Sequence, residues 1–472
     1  MARGVSTLFA IAALFAPLSA MCGGEGEAVR PKYVFLFIGD GMSVPQRMTA
    51  NEFSIATGGG GLRMNSMEVV AMARSRSANY LVTDSAAAAT AIACGEKTNN
   101  GSVGVDKSGG KLISCAELAK MNGSKVGIIT TVTITHATPA GFYAHRKTRG
   151  DVPNIARDLA DSGFDLFAGG GIPLKGDKAK EAYDYISQKG YRIVKTADEF
   201  DSLRPGCGKV MARFSDDALA NSIDAAEAEG QPTIGQMLKK AIELLDGEKG
   251  FFIMCEGGRI DWSCHGNDAA TNLRDILALD DAVGVALDFE RSHPGETLVV
   301  ATGDHETGGM TMGFAGTGRD IHVERLGLQT MSVPSFNGAV ARLFAERKGE
   351  LAFEDVVPLM EKAFGVKFSG DPKKDPMRLA AQEEKDIRKA FDEDIAKYRK
   401  KVAETTDYKA PLKYGLGNAL RTVVSHKAGI DWTSGSHTAL PVMTTATGAG
   451  AKTLSGFYEN SELGRRLRAF YE

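Results

Sequence analysis

The sequence lacks any block of basic residues, and its charges nearly cancel. Lysine and arginine number 56 and aspartate and glutamate 59, which gives a net charge of −3. Proteins that bind nucleic acids neutralise phosphates with clustered basic residues, so this composition argues against nucleic acid as a specific partner. Histidine is scarce, with eight residues in 472. The six cysteines follow no zinc-finger spacing, which excludes that class of metal site.

Long apolar runs are also absent, except near the amino terminus. Residues 1–22 combine Arg3, an apolar segment over residues 5–20, and small residues before a cleavage point. This order is typical of an export signal, and the segment is too short to span a membrane comfortably. We therefore expect an exported protein, periplasmic or extracellular. The alternative is an uncleaved amino-terminal helix.

Cys22 leaves a second choice open. The segment Ser19-Ala20-Met21-Cys22 resembles a lipoprotein signal, although Met21 stands where glycine or alanine is expected. Cys22 is therefore a candidate for a lipid anchor, and the exported protein is either free or membrane-anchored. Export would also permit disulfides, although the sequence does not assign any pairing among Cys22, Cys94, Cys115, Cys207, Cys255 and Cys264.

Five apolar stretches are present, and each leads into polar residues that bind metals or phosphate. They are 33–39 before Asp40, 126–130 before His136 and Thr138, 251–255 before Glu256, 297–301 before Asp304 and His305, and 79–82 before Asp84 and Ser85. Continuous apolar runs of this length are typical of parallel strands buried on both faces. The pattern predicts a doubly wound α/β fold, with a mostly parallel central sheet flanked by helices. In such folds, the residues that bind ligands and catalyse reactions lie just beyond the carboxyl ends of the strands.

Helical patterns alternate with these stretches. We predict helices over residues 86–94, 114–121, 152–162, 233–246, 268–290 and 335–347, and a strand over 439–447. The composition then becomes charged and helix-favouring over residues 376–406. We predict a catalytic domain made of 31–345 and 412–472, with a largely helical insertion at 346–411. The charges of the insertion are typical of a solvated face and need no partner.

Several short motifs suit hydrolytic metal chemistry. Ser85 begins an alanine-rich helix, where free backbone N–H groups favour an anion, although a serine there can simply cap the helix. Asp261 and His265 are four residues apart, a spacing that puts both on one helical face. Four of the eight histidines lie in such motifs, namely His136, His265, His305 and His437, which makes chance placement a poor explanation.

The ordered set of motifs resembles the alkaline phosphatase family. The motifs are Phe37-Ile-Gly-Asp40-Gly-Met, Thr83-Asp-Ser85-Ala, His136-Ala-Thr138-Pro-Ala, Glu256-Gly-Gly-Arg-Ile-Asp261, Gly303-Asp304-His305-Glu-Thr-Gly-Gly and Gly435-Ser-His437-Thr. The segment that begins at Leu454 also looks like the carboxyl-terminal end of that family. The resemblance implies an enzyme that hydrolyses phosphate monoesters, and homodimers are common in the family.

The resemblance also implies two zinc ions and one magnesium ion. Their implied ligands are Asp261, His265 and His437 for the first zinc, Asp40, Ser85, Asp304 and His305 for the second zinc, and Asp40, Thr138 and Glu256 for magnesium. Imidazoles and carboxylates suit zinc, and an all-oxygen set suits magnesium. Ser85 matches the nucleophile that carries a phosphoserine intermediate. Arg149 matches the arginine that holds the substrate phosphate, for which its planar fork of donors is suited.

Two positions depart from the bacterial prototype of the family. His136 stands where that enzyme has aspartate, so it reaches magnesium only through water or makes the site suitable for another metal. Trp262 stands where other members have lysine or histidine, and it either contacts substrate at the rim or merely packs there. The other four histidines match no ligand motif, although His322, with Trp432, could line the entrance.

The same residues bear on the related activities of the alkaline phosphatase superfamily. Sulfatases need a cysteine or serine followed by x-Pro-x-Arg, whereas Ser85 is followed by alanines. Phosphodiesterases of the superfamily usually lack the third-metal ligands and the phosphate-binding arginine, whereas Thr138, Glu256 and Arg149 are present. Cofactor-independent phosphoglycerate mutases belong to the same superfamily. A binding protein with a dead site would have lost ligands, and every motif ligand is retained here.

Overall fold

A computed structural model describes residues 30–405 and 415–472. The predicted export signal and Cys22 lie outside these residues. Among the helices in the described ranges, none is both long enough and apolar enough to cross a bilayer. The five cysteines in these ranges are all free thiols.

The described residues contain fourteen strands and fifteen α-helices. The strands are β1 (Tyr33–Gly39), β2 (Val69–Arg74), β3 (Lys125–Thr133), β4 (Leu166–Gly170), β5 (Tyr191–Val194), β6 (Lys209–Arg213), β7 (Phe251–Gly257), β8 (Thr297–Gly303), β9 (Glu306–Thr307), β10 (Met310–Met312), β11 (Ile430–Trp432), β12 (His437–Thr438), β13 (Val442–Gly448) and β14 (Gly456–Glu459). The helices are α1 (Val44–Ala56), α2 (Ser85–Cys94), α3 (Cys115–Met121), α4 (Ala137–Ala140), α5 (Val152–Asp161), α6 (Asp177–Gln188), α7 (Ala197–Asp201), α8 (Ile234–Leu245), α9 (Arg259–His265), α10 (Ala269–Ser292), α11 (Val333–Glu346), α12 (Phe353–Phe364), α13 (Ala381–Thr405), α14 (Gly415–Ala428) and α15 (Asn460–Ala469).

Ten strands form one central sheet in the order β14-β2-β13-β8-β1-β7-β3-β4-β6-β5. Within it, β13 is antiparallel to both of its neighbours, and the other pairings are parallel. The prediction of a mostly parallel sheet flanked by helices is confirmed. The apolar stretches at 33–39, 126–130, 251–255 and 297–301 form β1, β3, β7 and β8, which are neighbours in the sheet.

Strand β1 shows why this sheet is covered on both faces. Phe35 and Phe37 belong to one hydrophobic cluster, whereas Val34 and Leu36 belong to a second cluster. Successive side chains of a strand point to opposite faces, so a continuous apolar run needs helices on both sides. All four side chains are fully buried, and each contributes about 1.5–3 kcal/mol of hydrophobic free energy.

The interpretation of residues 79–82 as a strand is wrong. This segment is an exposed turn, in which the accessible fractions of Tyr80 and Leu81 are 62% and 69%. The Ser77 backbone N–H donates to the Tyr80 carbonyl at 3.1 Å, and this bond closes the turn. The preceding strand is β2, whose side chains alternate between buried and exposed near the sheet edge.

The charged region forms helix α13, which is amphipathic. Its buried residues are Ile387, Phe391, Asp394, Ile395, Tyr398 and Val402. This spacing places an apolar stripe against the core and leaves the lysines and glutamates in solvent. Phe391 packs edge-on against Phe353 of α12, with ring centroids 5.4 Å apart. The assignment of residues 346–411 as an insertion stays a prediction.

Candidate active site

Carboxylates collect at the carboxyl ends of the three central strands. Gly39 of β1 aligns with Gly303 of β8, so Asp40 and Asp304 follow at the same level. Glu256, near the end of β7, lies beside β1 in the register. All three acids are completely buried. Parallel pairing therefore brings Asp40 beside two acids that lie more than 200 residues further along the chain.

Gly41 allows this junction to close. Its backbone has φ of +71°, a conformation that glycine adopts without strain. Its N–H donates to Asp304 Oδ1 at 3.1 Å. A Cβ at this position would lie 2.9 Å from Asp261 Oδ1 and 2.9 Å from Thr307 Oγ1. The glycine after Asp40 is therefore required by the close approach of α9 and β9.

Two histidines and Asp261 form one side of the site. His265 Nε2 lies 3.3 Å from Asp261 Oδ2 and 3.2 Å from His437 Nε2. Each ring contacts a backbone carbonyl through its other nitrogen, since Nδ1 of His265 lies 2.8 Å from the Gly435 oxygen and Nδ1 of His437 lies 2.8 Å from the Thr83 oxygen. A carbonyl can only accept, so each Nδ1 carries the proton and each Nε2 is left as a lone-pair donor. The two Nε2 atoms and the Asp261 carboxylate therefore lie within 3.7 Å of one another.

His305 connects this cluster to Ser85. Its Nε2 lies 3.2 Å from Asp40 Oδ1, 3.3 Å from Asp304 Oδ2 and 3.2 Å from Ser85 Oγ. Its ring stacks on His437 with centroids 3.8 Å apart. Ser85 is the first residue of α2 and is almost completely buried. The serine hydroxyl therefore faces the carboxylates and imidazoles from the positive end of a helix.

Asp84 caps α2, so Ser85 is free for another role. The Asp84 side chain accepts a hydrogen bond from the backbone of Ala87 at 3.0 Å. It also accepts from Arg149 Nη1 at 3.2 Å and from the Gly101 backbone at 3.0 Å. The alternative of Ser85 as a simple cap is thus wrong. Asp84 also fixes the guanidinium of Arg149 beside the amino terminus of α2.

His136, Thr138 and Glu256 lie on the other side of Asp40. Thr138 Oγ1 donates to Asp40 Oδ2 at 3.5 Å, and His136 Nδ1 lies 3.9 Å from the same oxygen. Arg149 Nη2 donates to His136 Nε2 at 3.1 Å. Ligand atoms of Asp40, His136 and Glu256 lie within 4.8 Å of one another. The same limit holds for Asp40 with Asp304 and His305, and for Asp261 with His305 and His437.

Burial shifts the protonation of this cluster strongly. It raises the pKa of Asp40 well above its ordinary value, with a further rise from the neighbouring Asp304. It raises the pKa of Glu256 to about 8. Burial alone would lower the pKa of His305, but the carboxylates of Asp304 and Asp40 raise it to about 10. Burial and the charge of Arg149 lower the pKa of His136 to about 3. Buried acids that repel each other in this way need nearby positive charge.

Four buried polar atoms of the cluster form no well-oriented hydrogen bond within the described part of the chain, although His305 Nε2 lies 3.2 Å from one of them and 3.3 Å from another. They are Asp40 Oδ1, Asp304 Oδ2, Glu256 Oε1 and His136 Nδ1. An unsatisfied buried group costs about 1–3 kcal/mol, and more when it is charged. All four atoms belong to predicted metal-site residues, and carboxylate and imidazole donors are ligands of zinc and magnesium. The residues present therefore fit divalent cations.

The structure brings Ser85, Arg149 and the predicted metal-site residues into one cluster, with Trp262 beside His136. The Trp262 ring lies 6.2 Å from the His136 ring and has an exposed fraction of 36%. The four remaining histidines make other contacts: His145 with Glu117, His293 with Phe289, His322 with Glu324 and His426 with Asp431. Cys255 and Cys264 are buried.

The supporting roles of three residues were not predicted from the sequence. Thr307 donates to Asp261 Oδ1 at 2.6 Å and lies 3.2 Å from His305 Nδ1. Thr130 donates to Glu256, and Asp84 holds Arg149. Each of the three lies inside or next to one of the motifs named above. This proximity in the sequence is the signal that could have identified their roles.

Comparison with known proteins agrees with this geometry. The family model described as alkaline phosphatase matches residues 31–168 and 171–472. Alkaline phosphatase 4 of Bacillus subtilis is 30% identical over 391 residues, which cover 81% of this chain and 75% of that protein.

Solved structures agree as well. The cold-active alkaline phosphatase of Shewanella sp. superposes with a TM-score of 0.78 and 25% identity, over 93% of this chain and 100% of that chain. A histidine-to-aspartate variant of the alkaline phosphatase from the Antarctic bacterium TAB5, which has Mg bound in its M3 site, gives a TM-score of 0.64 and 25% identity, over 94% of this chain and 99% of that chain. The chain therefore belongs to the alkaline phosphatase family and is a phosphomonoesterase.

Proposed function

We propose that this enzyme hydrolyses phosphate monoesters through a phosphoserine intermediate on Ser85, with two zinc ions and one magnesium ion. The observation that carries the proposal is the position of Ser85 Oγ, 3.2 Å from His305 Nε2 at the edge of the acid and imidazole cluster. An acid-quenched reaction analysed by mass spectrometry tests it. We expect a phosphate on the peptide that contains Ser85, and a labelled peptide from elsewhere would contradict the proposal.

The residues divide into three sets that would hold these ions. Asp261, His265 and His437 would hold the first zinc, Asp40, Ser85, Asp304 and His305 the second, and Asp40, Thr138 and Glu256 the magnesium. Bound divalent cations lower the pKa of the serine hydroxyl and stabilise the charge on the entering and leaving oxygens. Mg is bound in the M3 site of a TAB5 variant in which aspartate replaces a histidine, whereas this chain has a histidine, His136, beside the proposed magnesium ligands. His136, with its unpartnered Nδ1, would reach that ion through water or favour another metal.

The residues of this chain then act in two displacements. The Ser85 hydroxyl gives its proton to solvent, and its oxygen forms a bond to phosphorus while the bond to the substrate alcohol breaks. The departing alkoxide takes up a proton from water. A water molecule then attacks the same phosphorus and gives up a proton, the bond to Ser85 Oγ breaks, the serine oxygen takes up a proton again, and inorganic phosphate leaves. Alignment and charge stabilisation do most of the work in such transfers, so a site that recognises phosphate accepts many alcohols.

Arg149 holds two phosphate oxygens in this proposal. We expect Arg149→Ala to lower kcat/KM for a monoester by about 10- to 100-fold, because a bidentate charged contact is lost. A diester presents fewer free oxygens, so its hydrolysis should fall less. Parallel assays with a chromogenic monoester and diester check this. Arg149→Lys is the matched control, since it keeps the charge without the fork; equal losses for both substrates would contradict the role.

Trp262 is proposed to contact substrate at the rim of the pocket. Its indole faces the His136 ring at an angle of 69° and lies under the guanidinium of Arg259, 4.7 Å from the ring centroid. An indole cannot supply the positive charge that lysine or histidine would provide at this position. Arg259, which is stacked on the indole, can supply that positive charge.

We further propose that the enzyme is exported, either free or with Cys22 as the candidate site of a lipid anchor, and that the chain forms a homodimer. The amino-terminal sequence supports export, and the membership of the chain in a family that commonly dimerises supports the homodimer. The exposed apolar side chains of Tyr80, Leu81 and Phe457 are candidates for a subunit contact. Sedimentation of the purified protein checks the homodimer, and a monomer at micromolar concentration would refute it. Intact mass of protein from the native host checks the lipid.

A further inference from the structure

A separate cavity of about 400 Å³ opens beside the proposed metal cluster. It lies between α9, the start of α11 and α14, and it includes His265 in its wall. His265 is also part of the cluster through its contacts with Asp261 and His437. The cavity and the phosphate site are therefore neighbours, and its volume is in the range of small-molecule pockets.

Two arginines line this cavity, and each has N–H groups that donate no hydrogen bond to the described residues. Arg259 donates through Nε to the Leu219 carbonyl, and Arg421 donates through Nε to Asn418 and through Nη1 to the Asn267 carbonyl. Within residues 30–405 and 415–472, neither guanidinium has a carboxylate within 4.0 Å. Nη1 and Nη2 of Arg259 and Nη2 of Arg421 make no hydrogen bond to these residues. The charges of Asp275, Asp217 and Asp224 act on Arg259 without forming an ion pair with it. Two guanidiniums that form no ion pair with the described residues, in one concave wall, favour an anion.

Among the described residues, one acid lies in the wall, Asp268, and its charge acts on Arg421 without forming an ion pair with it. Asp268 accepts hydrogen bonds from the backbone and hydroxyl of Thr271 and from the side chain of Gln329. Its oxygens are therefore engaged within the protein and are buried. The rest of the wall is neutral and includes Asn221, Val333 and Pro334.

Trp262 sets the position of one arginine. The Arg259 guanidinium, which lines the cavity, stacks on the Trp262 ring, 4.7 Å from its centroid. The centroids of the Trp262 and His136 rings are 6.2 Å apart. The indole thus stands between the cavity and the side of the pocket that contains Arg149. Stacking restricts the guanidinium to one plane, so less entropy is lost when it binds an anion.

We propose that this cavity binds a second anionic group on the alcohol portion of the substrate. The proposal rests on the phosphate site described above: with phosphate at Ser85 and Arg149, an alcohol of suitable length passes His265 and reaches Arg259 and Arg421. The favoured substrates are then monoesters of anionic alcohols, in which the second group is a carboxylate or another phosphate. The second anion adds binding without changing the reacting atoms.

A comparison of three sugar phosphates of similar size tests the proposal. Glucose 6-phosphate has a neutral far end, 6-phosphogluconate has a carboxylate there, and fructose 1,6-bisphosphate has a second phosphate. We expect Arg259→Gln and Arg421→Gln each to lower kcat/KM for the two anionic substrates by about tenfold relative to glucose 6-phosphate, mainly through KM, as expected for one lost charged contact. A preference for one anionic substrate identifies the group that the cavity takes.

Arg157→Gln is the matched control, because Arg157 also stacks on an aromatic ring, 4.9 Å from the centroid of Tyr185, but lies on α5. It should leave the substrate ratio unchanged, and Arg421→Lys should restore part of the preference. An unchanged ratio in both glutamine variants overturns the inference. Failure of the unaltered enzyme to hydrolyse any of the three esters would instead count against the proposed function.

Binding without turnover gives a second readout. The chain has two tryptophans, so Ser85→Ala combined with Trp432→Phe leaves Trp262 as the sole indole. Titration of this holoenzyme with 6-phosphogluconate should change its fluorescence with a Kd about tenfold below that for glucose 6-phosphate. Equal values of Kd would overturn the proposal even if the arginine variants fail to fold.

Discussion

Ser85→Ala abolishes turnover of phosphate monoesters while phosphate binding stays measurable. Alanine has no atom to form the bond to phosphorus, so we expect kcat to fall by roughly 10⁴-fold or more, as for other lost nucleophiles. Phosphate binding should persist, because Arg149 and the proposed metal ligands are untouched. Steady-state assays and calorimetric titration with inorganic phosphate measure the two effects separately.

The structure indicates that this substitution leaves α2 in place. Asp84, not Ser85, caps the helix, and His305 is the only side chain of the described residues within hydrogen-bonding distance of the Ser85 hydroxyl. Ser43→Ala is a suitable control, since Ser43 is also buried before a helix and its hydroxyl donates to the Pro441 carbonyl at 2.7 Å. That variant should retain turnover. Turnover retained by Ser85→Ala would contradict the nucleophile assignment.

The central strands were predictable because a strand that is buried on both faces has apolar residues at successive positions. All seven residues of β1 are buried, as are all seven of β7 and of β8. Strand β2 was missed because it lies near the sheet edge, where alternate side chains are exposed and the apolar run is weaker. The turn at 79–82 also contains consecutive apolar residues, as the central strands do, but its side chains face solvent. Composition alone does not tell an exposed apolar turn from a buried strand.

The site was predictable to the extent that its residues lie in short motifs. Asp40, Asp304 and His305 follow strand ends, so sequence position alone indicates the edge of the sheet where they lie. The supporting contacts depend on distant segments instead. Thr83 lies 354 residues from His437, whose ring it orients, and Gly435 lies 170 residues from His265. Such partners are backbone carbonyls, which carry no residue type, so no sequence pattern reveals them.

Removal of divalent metals should abolish activity and lower the thermal stability of the enzyme. The buried acids of the cluster repel one another, and four of its polar atoms form no hydrogen bond with the described residues. A cation that binds only the folded state stabilises it by mass action. Chelation followed by a chromogenic assay and calorimetry measures both losses, and zinc with magnesium should restore them. Elemental analysis should find two zinc ions and one magnesium ion per chain, and activity that survives complete metal removal would contradict the proposal.

The pH dependence of stability separates a metal effect from general damage. In the metal-free protein, the pKa of Glu256 is about 8 when folded, so above the ordinary value of 4.5 the folded state holds a proton that the unfolded state has lost. The pKa of His305 is about 10 when folded against an ordinary 6.5, so its protonated form stabilises the fold below pH 6.5 and this contribution is lost as the pH rises. Both effects have the same sign. The free energy of unfolding of the metal-free protein should therefore fall between pH 6.5 and 8. With metals bound these groups hold no proton, so the slope should flatten in the holoenzyme, and equal slopes in both forms would show that the cluster does not hold the ions.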